Sequence, residues 1–186
     1  MKDSIPTSCY VPTLDEKENS HNLIISYNVD LFASMAAQKN IRIVSNCPKD
    51  LLAWASRDLL NIILSNLITN AIHYSPSDSV IAVNATSEDG KVHLLVKDNG
   101  LGIAPEELEK IFEEFYRTRR ARKIERDGTG LGLPIVKRAV ESLDGKISVY
   151  SEVEKGSTFH IYLPENSLDS LRDGGKDGEQ KIADHR

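Results

Sequence analysis

No stretch of this 186-residue chain approaches the roughly 20 consecutive apolar residues needed to span a bilayer. Nor does it open on a signal-peptide core, since Met1 is followed by Lys2, Asp3, Ser4 and Pro6. The expectation is a cytoplasmic protein, or the cytosolic part of a membrane-bound one, with no membrane insertion of its own. Cysteine is nearly absent. Cys9 and Cys47 are too far apart for a zinc or redox pair and too few for a disulfide scaffold, so two isolated thiols in a reducing compartment are expected. An excess of positive charge is missing as well. With 23 Lys+Arg against 28 Asp+Glu the formal net charge is -5, which argues against a general nucleic-acid binder and requires any anionic ligand to be held locally. There is no internal repeat to suggest a solenoid, and no regular strand-helix alternation to suggest a doubly wound sheet.

What is present fits one core: 40% of residues are hydrophobic, enough for a single packed domain with tails. Residues 1–20 are polar, with a short extended piece around 8–12. A helix capped by Ser20 or Asn22 follows, with Leu23, Ile24, Tyr27, Leu31, Phe32 and Met35 at helical spacing until Asn40. Residues 41–46 alternate as a half-buried strand and Pro48 stops it. A long helix is predicted over 56–74, with Leu59, Leu60, Ile63, Leu67, Ile68 and Ala71 on its packed side. Strands are predicted at 79–86 and 91–96, joined by the hairpin pair Asp89-Gly90. Pro105 starts a helix running to Phe112, and 117–126 reads as a charged, mobile loop. A helix over 131–143 closed by Gly145, then strands at 146–151 and 158–163, complete a domain of residues 21–164; residues 165–186 read as a disordered tail. This order predicts an α+β fold, a two-layer α/β sandwich in which one mixed sheet is covered by helices on one face.

Four segments carry chemistry. Asn66 and Asn70 lie at i and i+4, so they project from one helix face, and amide oxygens are hard ligands suited to magnesium. Asp98 ends a strand and precedes Asn99-Gly100-Leu101-Gly102. A carboxylate buried there can accept a hydrogen bond from the exocyclic amine of adenine, although Asp-Asn-Gly is also an ordinary turn. Gly128-Thr129-Gly130-Leu131-Gly132-Leu133 opens a helix whose free amides form a natural phosphate site, though a GxGxG repeat alone also suits a flexible loop. Between them lies Ile111-Phe112-Glu113-Glu114-Phe115-Tyr116-Arg117. Its phenylalanines suit hinge packing, and the guanidinium of Arg117 suits a terminal phosphate. The neighbouring Arg119, Arg120, Arg122, Lys123 and Arg126 read as a solvated face.

In this order the segments resemble the N box, first glycine box, phenylalanine box and second glycine box of the histidine-kinase branch of the gyrase B, Hsp90 and MutL ATPase superfamily. The resemblance covers about residues 30–164 and implies the Bergerat-type fold, ATP and Mg2+ as ligands, and the following roles. Asn70 would coordinate the metal with Asn66 supporting it, and Tyr74 would lie against the adenine. Asp98 would bind the adenine amine, with Thr158 assisting from the neighbouring strand. Gly100, Gly102, Gly128, Gly130 and Gly132 would shape the lid, with phosphates near Thr129, Leu131 and Gly132 and with Arg117 on the terminal phosphate. Ile103, Phe112, Tyr116 and Leu133 join the implied pocket. His73 departs from the Lys or Arg that many members carry near the phosphates, which implies a contact that is either weaker or pH dependent.

The gyrase and Hsp90 branch activates water with a glutamate where Asn66 stands here, and an amide cannot act as a general base near neutral pH. Phosphoryl transfer is therefore expected over hydrolysis. The phosphoacceptor motif is absent: His21 precedes Asn22-Leu23-Ile24 rather than an acid, and His73, His93, His160 and His185 also lack the context. The resemblance thus implies a separate dimerisation and histidine phosphoacceptor domain and a response regulator receiver domain downstream; the isolated domain is expected to be monomeric, and the acidic overall charge predicts no nucleic-acid partner. The alternatives are a serine kinase of the anti-sigma type and a nonenzymatic nucleotide-sensing module of the same fold.

Overall fold

A computed structural model describes residues 24–47 and 57–164. The expected N-terminal segment and tail, the caps Ser20 and Asn22, and Cys9, Pro48 and Ser56 lie outside the described residues. Helix α1 (Ile24–Ala37) leads through Asn40, at φ 55, into strand β1 (Arg42–Asn46). Helix α2 (Arg57–Tyr74) is followed by the hairpin of β2 (Val80–Glu88) and β3 (Lys91–Lys97). Its turn residues Asp89 and Gly90 have φ 51 and 69, the positive pair that lets a two-residue turn follow the twist of the strands. Helix α3 (Arg119–Ile124) lies within the segment 113–131, referred to below as the lid, and α4 (Gly132–Ser142), β4 (Lys146–Glu152) and β5 (Gly156–Pro164) follow it.

The five strands form one mixed sheet in the order β1-β2-β3-β5-β4, with β1 parallel to β2 and every other pair antiparallel. Strand alternation decides what each face carries. Ile81, Val83 and Ala85, Val92, Leu94 and Val96, and Phe159, Ile161 and Leu163 are all buried on the helix side. Against them α2 lays Ile63, Leu64, Leu67, Ile68 and Ile72, at the i, i+4 spacing of one helical face, and α4 adds Val136 and Val140. Fully burying one such side chain is worth about 1.5–3 kcal/mol, and this cluster is what fixes the helices to the sheet. The opposite face carries Arg42, Val44, Lys91, Lys97, Ser148 and Tyr150, all exposed.

Two expectations fail. Residues 105–112 do not form one helix but two single 3-10 turns, Pro105–Glu107 and Lys110–Phe112, closed by i to i+3 bonds such as Glu107 N–H to Ala104 and Glu113 N–H to Lys110. Packing overrides propensity there, because Ile111 is buried and its neighbour Phe112 also packs against the core. The charged stretch 117–126 is not a structureless loop: it contains α3, whose N-cap Thr118 accepts the Ala121 N–H at 3.0 Å. Among the described residues, no helix is long and apolar enough to cross a membrane.

Candidate functional site

One face of α2, the loop after β3, the lid and the first turn of α4 enclose a cavity of about 460 Å³, a size that suits a small organic ligand. From α2 it receives Asn66, Asn70, His73 and Tyr74. Asn66 donates its side-chain N–H to the Ile62 carbonyl at 2.8 Å, which fixes the amide and leaves Oδ1 toward α4. There α4 starts on Gly132, and a Cβ at that position would lie 2.9 Å from Asn66 Oδ1. Any larger residue there would displace the Asn66 amide. The consequence is that two amide side chains stand beside the positive end of an 11-residue helix, where anions are favoured.

At the other end lies Asp98, 7% exposed. Its Oδ1 accepts the N–H of Gly100 at 2.7 Å and of Ser157 at 3.2 Å. Since both bonds fall on Oδ1, Oδ2 is the oxygen with acceptor capacity left for a ligand donor. Burial pushes the Asp98 carboxyl above its ordinary pKa, and the two backbone N–H groups act against that rise. The loop is held at the right depth by Leu101, whose N–H donates to the Tyr74 carbonyl at 3.2 Å, and by Ile103, whose N–H donates to Ser151 Oγ at 2.8 Å.

The lid side supplies Tyr116, Arg117 and the glycine segment. Tyr116 donates its hydroxyl to Glu107 at 3.1 Å. Arg117 does not extend freely into the cavity. Its guanidinium donates to the backbone carbonyls of Gly128 at 2.8 Å, Arg126 at 3.2 Å and Ala121 at 3.4 Å, and also to Glu125. It thereby ties both sides of the lid together around α3. Arg120 pins α3 to the β4-β5 turn through Glu154 at 2.7 Å, and Arg138 of α4 holds Glu114 at 2.5 Å.

The structure gathers most of the sequence-derived residues at this cavity. Gly102, Ile103, Gly128, Thr129, Gly130 and Leu133 line it together with those above, while Gly100, Phe112 and Leu131 are not among the lining residues, Phe112 packing against the core instead. Thr158 does not face it. It pairs with Lys97 and Tyr150 on the alternate face of β5, and its neighbour Ser157 takes the inward place beside Asp98. The two-residue period linking Ser157 to buried Phe159, Ile161 and Leu163 was the available signal. Thr69 and the lid acids Glu125 and Asp127 also line the cavity and were missed. Thr69 could have been found from its place between Asn66 and Asn70; the acids could not, because their position depends on the fold of α3.

The residues fit magnesium delivered with phosphates. Among the described residues no cluster of three or more His, Cys, Asp or Glu could hold a metal by itself, whereas the Asn66 and Asn70 amides offer one or two hard oxygens, the share a protein gives to a magnesium whose remaining ligands are phosphate and water.

Comparison with known proteins agrees with this geometry. The family described as histidine kinase-, DNA gyrase B-, and HSP90-like ATPase matches residues 55–167, and this chain belongs to it. It is 37% identical over 141 residues to the sensor-like histidine kinase SenX3 of Mycobacterium tuberculosis, covering 76% of this chain and 34% of the relative. The sensor histidine kinase RppB of Synechocystis is 36% identical over 144 residues, 77% of this chain and 32% of that protein. The chain thus spans about a third of the length of these curated relatives. Among solved structures, the catalytic domain of histidine kinase ThkA is similar with a TM-score of 0.67 at 30% identity, covering 76% of this chain and 90% of that one. Full-length ShkA in complex with AMPPNP is similar with a TM-score of 0.64 at 29% identity, over 76% of this chain and 29% of that one. The expected α+β architecture, a five-stranded mixed sheet under helices, is the one shared with these catalytic domains.

Proposed function

We propose that this chain is the ATP-binding catalytic domain of a two-component sensor histidine kinase, which transfers the γ-phosphate of Mg-ATP to a histidine on a separate dimerisation domain. The observation that carries the reading is the pairing of Asp98 at one end of the cavity with Asn66 and Asn70 at the other, beside the N-terminus of α4. Adenine binds at Asp98 Oδ2 through its exocyclic amine, with Tyr74 against the base. The phosphates lie over Thr129 to Gly132, where backbone N–H groups and the helix dipole meet their charge. Asn70 would hold the magnesium with Asn66 in support, and the bound ion would supply charge neutralisation for the phosphoryl group being transferred.

The acceptor imidazole attacks the γ-phosphorus with a nitrogen lone pair, a P–N bond forms, and the bond to the β-γ bridging oxygen breaks with its electron pair leaving on ADP. That nucleophile needs no general base on α2, and the amides of Asn66 and Asn70 supply none. Arg117, by giving up lid carbonyls, stabilises the terminal phosphate, and His73, which also lines the cavity, is a second donor. The acceptor domain must dock at the cavity mouth. Phe115, 67% exposed at φ 63 with its backbone N–H donating to the lining residue Gly130, and Ile135, 42% exposed in the first turn of α4, are uncovered apolar side chains that suit such docking. The resulting phosphohistidine passes its phosphoryl group to a response regulator receiver domain, and the whole operates in the cytoplasm.

The test is transfer from γ-labelled ATP to an added dimerisation domain with Mg2+. An acid-labile, base-stable product supports the reading. A base-labile, acid-stable phosphoserine sinks it in favour of a serine kinase, and binding without transfer to any acceptor domain favours a nucleotide sensor.

A further inference from the structure

Five consecutive carbonyls at the end of α2 have each found a donor. The last four carbonyls of a helix have no partner within it, so every bond made there is made from outside or by a tightened last turn. Ala71 receives the Ser75 N–H at 3.1 Å, and Tyr74 receives the Leu101 N–H at 3.2 Å. The other three go to a single side chain. Lys39 Nζ donates to the carbonyls of Ile72 at 2.7 Å, His73 at 3.1 Å and Ser75 at 2.7 Å, which uses all three of its donors.

Lys39 comes from the α1-β1 turn, 33 residues away in sequence from the nearest of those carbonyls. Its own carbonyl accepts the Asp78 N–H at 3.1 Å, and the Arg42 N–H donates to Ser79 at 3.0 Å, so the turn is tied on both sides to the segment that follows α2. A cation at a helix C-terminus also opposes the negative end of the helix dipole. The clamped turn is the one that carries His73 and Tyr74 into the cavity. Immediately beyond it the Tyr74 carbonyl meets the Asp98 loop: a Cβ on Gly100 would lie 2.6 Å from that oxygen, so the loop rests on the helix end without slack. No atom of Lys39 lines the cavity.

We propose that Lys39 is a positioning residue for the nucleotide site: by clamping the Ile72, His73 and Ser75 carbonyls it fixes the last turn of α2, and with it His73, Tyr74 and the seat of the Asp98 loop. The inference rests on the nucleotide reading of the cavity for its effect on binding, and on hydrogen bonds alone for its effect on the loop. Lysine suits the task because one ammonium presents three donors around a point, matching three carbonyls that converge.

The experiment is made on the full chain with Lys39→Met, Lys39→Arg and, as a control, Ile161→Val, a core change remote from the clamp. Nucleotide affinity is measured by calorimetry well below each melting temperature, and amide exchange is followed by NMR without nucleotide. Lys39→Met is expected to weaken Mg-ATP and Mg-ADP alike by about tenfold and to speed exchange at Leu101 and Ser75 but not at Val83 or Val96. Lys39→Arg, which keeps the charge but sets its donors in a plane, restores part of both, and Ile161→Val lowers the melting temperature without changing either. Affinity within about twofold of wild type in Lys39→Met, with Leu101 exchange unchanged, overturns the proposal and leaves Lys39 a helix cap. Should the wild type bind no nucleotide, the proposed function falls, and the Leu101 exchange still decides whether Lys39 seats the loop. Should Lys39→Met not fold, Lys39→Gln, which keeps one amide group, replaces it and is expected to lie between the two.

Discussion

Arg117 donates its guanidinium to the carbonyl of Gly128 at 2.8 Å, across 11 residues of lid. With the bonds to Arg126, Ala121 and Glu125 this makes the lid a closed loop around α3, so the proposed contact with a terminal phosphate would draw on the donors that close the lid. Arg117→Ala is expected to speed amide exchange over 119–124 and to weaken ATP more than ADP. Arg117→Lys restores neither, because a compact ammonium cannot reproduce the planar fork. Equal protection of 119–124 in wild type and Arg117→Ala removes this account of the lid. Mg-ATP is expected to slow exchange over 118–128 in the wild type.

Asp98 is costly to the empty fold. Its carboxyl pKa is raised by burial, so over the range above the unfolded value the folded state holds more protons than the unfolded one. Stability therefore falls as pH rises through the folded pKa and stays lower above it. Asp98→Asn keeps an oxygen for the Gly100 and Ser157 N–H groups and replaces Oδ2 with a donor. It should melt no lower than wild type at pH 8, with the gap narrowing at acidic pH, while ATP affinity drops by about 10–100-fold. A variant that melts several degrees lower at pH 8 and still binds ATP normally contradicts both halves.

Asn70→Ala removes an amide oxygen from the helix face beside Gly132. The expected result is loss of most of the affinity difference between ATP with Mg2+ and ATP with EDTA, at unchanged melting temperature. Magnesium enhancement equal to wild type assigns the metal elsewhere.

Phe115→Asp tests the proposed docking of the acceptor domain. Its side chain is exposed, so ATP affinity should stay unchanged while transfer to an added dimerisation domain falls by about tenfold or more. Equal loss in both assays places Phe115 in the nucleotide site instead.

On the open face of the sheet, His93 Nε2 and His160 Nδ1 lie 2.9 Å apart, and His93 stacks on Tyr162 at 4.4 Å. Burial and the neighbouring His93 lower the His160 pKa. The unfolded state then binds more protons in the window just below the ordinary histidine pKa, so the stability from neutral His160 is present above that value and lost as pH falls through the folded one. His160→Gln should flatten the fall in melting temperature between about pH 7 and 5. An unchanged slope assigns that fall to other groups.

Local pattern was enough for the elements whose character repeats along the chain. The apolar period of α2 placed Asn66 and Asn70 on one face, alternation marked β2, β3 and β5, and Asp89-Gly90 carried its own turn geometry, because each of these depends on neighbours within a few residues. The four ordered motifs likewise marked the cavity that the fold assembles. What the chain text could not decide are relations between segments far apart in sequence. The folding of α3 rests on Arg117 finding four carbonyls, the inward place of Ser157 over Thr158 rests on which sheet face the helices cover, and the clamp of Lys39 exists only once α1 packs beside α2. Hydrogen bonds of that kind are made by whichever groups the topology brings within 3 Å or so, and no local propensity encodes them.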